Sequence, residues 1–459
     1  MWLWGAMTAS AAAADRRLSS VGVSLSLAQL ATTSSLRGRV EELRGRNVVV
    51  CTPDQFTAAL AVIELDGVAR RIVLCPPDLS ACHFPLIVRD AECDAWVGDA
   101  GPAVIALGLP SIVEPGPVAA GRDDRRWTHA TEWVLLTSGT TGAPKLVRHT
   151  LATLTHAFAD KEQPAKGTVW STFYDIRRYG GLQILLRGLL GSSLVLSSPH
   201  ESVADFLGRA AAAGVTHLSG TPSHWRQALI SGAIARISPQ YIRLSGEIAD
   251  QAVLDALGRA FPGVVVAHAF ASTEAGVGFE VRDGLAGFPA SLIGAPDVPA
   301  EIDVADGHLR LRSVGTALGY LGPDAPSLKS ADGFVDTGDR LERRADRYYF
   351  MGRDGGVINV GGRKVHPEEV ESVINALPWV HICRVAARRN PITGAVVAAE
   401  VVRVPAASGP PSSPSDEELK LTIIAACRKV LAAHKVPASI RFVSEVQVAS
   451  SGKLVRADA

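Results

Sequence analysis

The chain lacks an excess of charge of either sign, paired cysteines and long apolar runs. Its 459 residues carry 46 basic and 46 acidic side chains. That balance leaves no electrostatic footprint for nucleic acid or for an anionic membrane surface. The six cysteines, Cys51, Cys75, Cys82, Cys93, Cys383 and Cys427, form no CxxC pair. In so long a chain they read as reduced thiols of a cytoplasmic protein, each packed as a small buried hydrophobe. No stretch approaches the roughly 20 apolar residues of a membrane span. The N-terminal run 1–14 lacks the basic residues and the apolar length of a secretory leader. It is expected to be a disordered leader, with Met7 as an alternative start. No internal repeat is present.

What is present is alternation of strand and helix. Val48 to Cys51 is a buried parallel strand, Pro53 to Leu65 has helical spacing, and Arg71 to Cys75 is the next strand. The pattern continues to Val264–Ala267, which is βαβ logic with parallel sheets. Past Gly294 short β-like pieces separated by turns predict a small β subdomain. From Gly352 a compact α+β region follows, of a size that a domain can hold. Four Gly/Ser/Thr-rich loops end strands at what the alternation makes one sheet edge, where open α/β sheets bind ligands. They run 137–142, 218–223, 244–248 and 270–276.

The first loop is the most informative. After the apolar strand Trp133 to Leu136 come Thr137, Ser138, Gly139, Thr140, Thr141 and Gly142, then Lys145. Two glycines let the backbone turn with its N–H groups inward, four hydroxyls add donors, and the lysine adds charge. This suits a polyphosphate. It is not a Walker A loop, because Pro144 and Leu146 flank the lysine. An ordinary Gly/Thr turn explains the composition but not the ordered run TSGTTGAPK.

That run resembles the phosphate loop of the adenylate-forming superfamily of acyl- and aryl-CoA synthetases, peptide-synthetase adenylation domains and luciferases. The other motifs follow in family order from about Val48 to Arg456. Phe270, Ala271, Ser272, Thr273 and Glu274 resemble the YGxTE motif, Asp339 closes a TGD element, and Gly352–Arg353 opens the interdomain segment. Ser451, Gly452, Lys453 and Arg456 resemble the catalytic-lysine tail, although Gln447 to Ala449 replace its usual lead-in. The stretch before Val48 is shorter than the family's. The acid-pocket segment lacks the common aromatic–His pair: Tyr174, Arg178 or Tyr179 falls there, followed by Gly181. An arginine at that place suits a carboxylate, with a salt bridge to Asp175 as the ordinary alternative.

The resemblance implies a fold of class α/β. A large N-terminal domain (1–353) has parallel-rich sheets with helices and a small β subdomain, and a small mobile α+β C-terminal domain (354–459) carries Lys453. It implies ATP-dependent activation of a carboxylic acid through an acyl-adenylate, then thioester formation with coenzyme A. Loading of a carrier-protein pantetheine is the near alternative, and a nucleotide-binding pseudoenzyme or regulatory module the distant one. Lys453 would bridge the carboxylate and the α-phosphate, Thr273 would hold a phosphate oxygen, and Glu274 would hold Mg²⁺. Residues 137–142 and Lys145 would hold pyrophosphate. Gly246, Glu247 and Phe270 would frame adenine, with Ala271 and Ser272 beside them. Asp339 and Arg353 would hold the ribose, Gly355 would be the hinge, and Gly361 and Gly362 would leave room for the pantetheine thiol. Tyr174, Arg178, Tyr179 and Gly181 would line the acid site. The isolated alternatives are a capped helix start at Thr273–Glu274, a Gly/Asp β-turn at Asp339 and an idle tail lysine at 453.

Overall fold

A computed structural model of the protein describes residues 2–8, 15–31, 33–99, 101–112, 119–120, 126–137, 143–158, 164–391, 393–405, 414–449 and 452–455. Two large sheets dominate. The first has eight strands, in the order Gly276–Val281, Val265–Ser272, Tyr241–Ser245, His217–Gly220, Val169–Thr172, Ser193–Leu196, Arg17–Ser20 and Val23–Ser26. All its pairings are parallel except those of the two edge hairpins. The second has seven strands, in the order Gly319–Leu321, Lys145–Thr150, Glu132–Thr137, Arg71–Leu74, Asn47–Cys51, Ala95–Gly98 and Ser111–Ile112. There the strand Lys145–Thr150 folds back antiparallel on Glu132–Thr137.

The largest apolar cluster joins these sheets. At its centre is the helix Gln55–Leu65, in which ten of eleven residues are buried. A helix apolar on nearly every side has to be internal, and the run FTAALAVIEL supplies such a surface. The charged exception, Glu64, accepts hydrogen bonds from Ser34 Oγ at 2.7 Å and Ser35 Oγ at 2.8 Å.

An antiparallel five-stranded sheet follows: Phe288–Pro289, Arg347–Arg353, Val335–Arg344, His308–Arg312 and Glu301–Ala305. It is the β subdomain that the turn-separated pieces predict. Residues from Ile358 on build a sheet of their own around the long hairpin Val380–Asn390 and Gly394–Arg403, covered by the helices Pro367–Asn375 and Asp416–Val430.

Three expectations are corrected here. The N-terminal run is not a disordered leader throughout: Leu3–Thr8 is a helix whose Leu3, Trp4 and Met7 are buried in the main core. Its Leu3 N–H donates to the buried Asp66 carboxylate at 2.7 Å. The cysteines are all free, but Cys82 is exposed and Cys51 partly so. The four loops do not share one sheet. Those after Gly220, Ser245 and Ser272 end adjacent strands of the first sheet, whereas Thr137 ends a strand of the second. No helix among the described residues is long and apolar enough to cross a membrane.

Candidate active site

The two sheets meet at Glu274. Its Oε1 lies 3.4 Å from both the Thr137 hydroxyl and the Tyr320 hydroxyl, and the Lys145 ammonium sits 5.2 Å over the Tyr320 ring. The phosphate-loop strand and the carboxylate thus face one another although 137 residues separate Thr137 from Glu274. Ser138, Gly139, Thr140, Thr141 and Gly142 lie outside the described residues. Behind Glu274, buried His149 fixes the chain: its Nε2 is 2.7 Å from the Thr273 carbonyl and its Nδ1 is 2.9 Å from Thr153 Oγ1. A carbonyl can only accept, so a neutral ring carries its proton on Nε2 and donates it there. Burial lowers the His149 pKa to about 4, which keeps it neutral. Ser272 is used locally, its Oγ accepting from the Ala275 N–H at 2.9 Å.

Glu274 suits a hard cation. It is a carboxylate next to a hydroxyl and a lysine, with phosphates and water as the natural remaining oxygen ligands of Mg²⁺. Among the described residues no group of three His, Cys, Asp or Glu converges on one point. Any metal there would therefore depend on the nucleotide's own oxygens.

Asp339 and Arg353 are cross-strand partners, paired at 3.0 Å. Asp339 is 9 % exposed, whereas the Arg353 side chain is open to the cleft. Phe270 stacks on Phe279 and on Phe350, with centroids at 5.8 and 5.5 Å. The ring expected to stack on a purine therefore already has protein partners.

The C-terminal tail reaches this cleft as a hairpin. Val448 bridges Leu454, the Gly452 N–H donates to the Ala449 carbonyl at 2.7 Å, and Val455 N–H to Gln447 O at 3.0 Å. The hairpin docks on two loops of the eight-stranded sheet. Thr221 Oγ1 donates to the Gly452 carbonyl at 2.6 Å, and the Leu454 N–H donates to Glu247 at 2.9 Å. The second oxygen of Glu247 takes the Ser223 N–H at 3.0 Å. Glu247, expected to frame adenine, clasps tail to sheet: each of its oxygens accepts from a backbone N–H. Gly246, at φ +86°, lies under Lys453, where a Cβ would come 3.5 Å from Lys453 Cε. Lys453 is exposed to the cleft, yet protein surrounds it. Desolvation and the Arg353 charge lower its pKa, against the pull of Glu247 and Asp339. Gly361 and Gly362 form the turn of a separate hairpin, at φ +57° and +83°. A Cβ added at Gly361 would meet only Thr393, and one added at Gly362 would stand in open space.

Next to Ser245 a small cavity of about 20 Å³ is lined by Tyr174, Tyr179, Gln183, Arg187, Arg243 and Ala271, among others. Tyr174 is buried and its hydroxyl donates to the Ser245 carbonyl at 2.5 Å. Two of the sequence candidates, Arg178 and Gly181, stand outside the lining of this cavity. Arg178 faces Asp78, paired at 2.7 Å, and it is Arg177 that pairs with Asp175. Gly181 is a packing glycine: a Cβ there would stand 2.2 Å from the Asp175 carbonyl oxygen. Ala271, expected beside the nucleotide, also lines this cavity.

Two comparisons fix the family. The AMP-binding enzyme model matches residues 48–322, and the AMP-binding enzyme C-terminal domain model matches residues 369–453. The chain is an AMP-binding enzyme. It therefore belongs to the adenylate-forming superfamily. The human mitochondrial acyl-coenzyme A synthetase ACSM2A is 23% identical over 432 residues, 88% of this chain and 71% of that protein. A 2-succinylbenzoate–CoA ligase of Listeria innocua is 26% identical over 71% of this chain and 69% of its own. Pyochelin synthase PchD of Pseudomonas aeruginosa is 37% identical over only 33% of this chain and 27% of its own. The stronger local matches thus span about a quarter to a third of the relatives' length. Among solved structures, the anthranilate CoA ligase AuaEII in complex with anthranoyl-AMP superposes with TM-score 0.79 at 19% identity, covering 99% of this chain and 95% of that one. The o-succinylbenzoate CoA synthetase from Bacillus subtilis gives 0.74 at 19%, covering 99% and 97%. These likenesses carry the fold.

Several groups near this AMP-binding enzyme's site escaped the sequence reading: His149, Tyr320, Arg187 and Arg243, whereas Thr221 stood in the 218–223 loop. The two arginines had a legible signal. Arg187 interrupts a strongly apolar helix and Arg243 sits mid-strand between Ile242 and Leu244. A lone charge in a buried run needs a partner or a purpose.

Proposed function

We propose that the protein activates a carboxylic acid with ATP and transfers the acyl group to the thiol of coenzyme A. The observation that carries this is the docked tail. It sets Lys453 against Gly246, between the cavity beside Ser245 and the Asp339–Arg353 pair. In the first step an oxygen of the acid's carboxylate bonds to the α-phosphorus of ATP, and the bond to pyrophosphate breaks. Two anions meet, so positioning and charge neutralisation do most of the work. Lys453 supplies a cation where charge builds, and its lowered pKa reflects a desolvated site in which that charge acts strongly. Asp339 and Arg353 hold the ribose, and Glu274 with Thr137 and Lys145 faces the departing phosphates. Mg²⁺, bound through Glu274 and the nucleotide, would neutralise those phosphates.

In the second step residues 354–459 turn about Gly355 as a mobile domain against 1–353. Lys453 withdraws and the thiol displaces AMP, passing Gly361 and Gly362. The local match to a fatty acid–[acyl-carrier-protein] ligase of Mycobacterium marinum favours a carrier-protein pantetheine as a second reading of the thiol. The test is pyrophosphate release with ATP and Mg²⁺ across aryl, fatty and dicarboxylic acids, each with and without CoA. Acid-dependent release accelerated by CoA supports the ligase. Release that CoA does not accelerate redirects the thiol to a carrier protein. No release from folded, ATP-binding protein overturns the reading.

A further inference from the structure

The hairpin that carries Lys453 is held from two sides. Thr221 and Glu247, on loops of the eight-stranded sheet, grip its tip through the Gly452 carbonyl and the Leu454 N–H. Its base is gripped by the C-terminal sheet, where Arg384 Nη1 donates to the Val455 carbonyl at 2.8 Å across 71 residues of chain. Val455 donates its own N–H to Gln447 O at 3.0 Å, and the Ala449 N–H donates to the Lys453 carbonyl at 2.8 Å. The grip on residue 455 is thus passed to Lys453 by the backbone of the hairpin. Gln447, Val448 and Ala449 include no proline to stiffen that approach.

Arg384 is itself held in one orientation. It stands opposite Glu400 in the long hairpin, and Glu400 stands opposite Arg441 on the strand Ser439–Phe442. Nε and Nη2 of Arg384 both reach Glu400 Oε2, at 2.8 and 2.5 Å, while Glu400 Oε1 pairs with Arg441. Burial alone would raise the Glu400 pKa, but Arg441 and Arg384 hold it below the usual carboxylate range, so it is ionised. A guanidinium engaged at two nitrogens is fixed in its plane, which aims the third nitrogen in a single direction. That direction is the Val455 carbonyl. The strand bearing Arg384 is in turn seated on the large domain. Arg226 pairs with Asp250 at 2.6 Å and donates to the His381 carbonyl at 3.1 Å. Asn375 donates to Asp250 at 3.2 Å and accepts from the Cys383 N–H at 2.8 Å. Hydrogen bonds therefore run without a break from Asp250 through residues 381–384 to the lysine hairpin.

We propose that Arg384 is a positioning residue for Lys453: it fixes the base of the hairpin so that the ammonium meets the charge building between carboxylate and α-phosphate. The proposal rests on the acid-activating reading above. The Thr221 and Glu247 contacts join the two domains, so they break when residues 354–459 turn. The Arg384–Val455 contact lies wholly within 354–459 and survives the turn. The lysine then returns to the cleft on a hairpin that has kept its shape, without a fresh entropic cost of ordering it. The requirement falls on the first step, because the thiol step proceeds with Lys453 withdrawn.

The test compares wild type with Arg384→Met, Arg384→Lys and Arg441→Met. Arg441→Met is the control, since it removes the other cation from Glu400 and leaves the Val455 contact in place. Three quantities are measured: ATP–pyrophosphate exchange, thioester formation from supplied acyl-AMP, and amide hydrogen exchange at Gly452, Leu454 and Val455. In Arg384→Met the kcat of ATP–pyrophosphate exchange should fall by about tenfold or more, the loss of one hydrogen bond from a charged donor, with KM for ATP and acid near wild type. Thioester formation should stay within about twofold, and the three amides should exchange faster. Arg384→Lys should restore part of the kcat, because an ammonium reaches the carbonyl but lacks the fixed fork. Arg441→Met should match wild type in all three. A kcat within about twofold of wild type in Arg384→Met overturns the proposal. So does an equal loss of both half-reactions, or an equal loss in Arg441→Met, since each marks general damage to the sheet. Faster amide exchange in Arg384→Met, in a protein that no acid drives to exchange pyrophosphate, supports the anchor and removes the ligase reading.

Discussion

Replacing Gly452 with alanine should disable adenylation without unfolding the protein. Gly452 has φ +74°, and a Cβ there would stand 1.8 Å from His224 Cε1 and 2.4 Å from Nε2. The imidazole cannot swing away cheaply. It stacks on Phe173 with centroids at 5.3 Å, and its Nδ1 takes the Thr221 N–H at 3.1 Å. The tail must therefore undock. Undocking gives up the Thr221–Gly452 hydrogen bond, worth about 1 kcal/mol, and the Leu454–Glu247 bond to a charged acceptor, about 1.5–3 kcal/mol. A variant that stayed docked would still carry about 1–2 kcal/mol of left-handed backbone strain, before any steric term. Undocking thus forfeits about 2.5–4 kcal/mol, and roughly 3 kcal/mol is a factor of about 100 in the ratio of docked to undocked states. ATP–pyrophosphate exchange should fall by about that factor. Thioester formation from supplied acyl-AMP and the thermal midpoint should stay near wild type. The double variant Gly452→Ala/His224→Ala should recover part of the loss, because only the backbone strain then remains. Exchange within twofold of wild type in the single variant would refute the docking geometry.

Lys453→Ala should abolish acyl-AMP formation while sparing thioester formation from supplied acyl-AMP; equal loss of both half-reactions would remove the split role. Glu274→Gln should raise the Mg²⁺ concentration needed for half-maximal exchange, and an unchanged Mg²⁺ titration would take Glu274 out of any metal site. Stability should fall in acid: burial lowers His149, His224 and His381 each to about 4. Their unfolded value is near 6.5, so the unfolded chain takes up protons first. The stabilisation is complete above pH 6.5 and is lost as pH falls toward 4. For the fully buried His149 this amounts to about 2 kcal/mol by pH 5. Denaturant titrations at pH 7.5 and 5 should show a smaller pH difference in His149→Gln, and an identical one would contradict a buried neutral ring.

The elements were legible because their signals are local. The strands Asn47–Cys51 and Arg71–Leu74 stand within one residue of where the apolar runs put them, and the helix Gln55–Leu65 begins two residues after its expected start. The ordered motifs were likewise sufficient for the family. The leader was misjudged because six helical residues carry too little periodicity to reveal a docking face; what holds Leu3–Thr8 is Asp66 and the main core.

By itself, then, the sequence determined the alternation of strand and helix, the family, and the set of chemical groups available to the site. Tertiary structure alone decided which groups were already engaged. Arg178 meets Asp78 across 100 residues and Glu247 meets Leu454 across 207. Arg187 lines a cavity, and among the described residues no side chain or carbonyl accepts a hydrogen bond from it. Periodicity tells how far apart residues lie along one element. A carboxylate's partner is set by where separate elements pack, and that is a property of the folded chain.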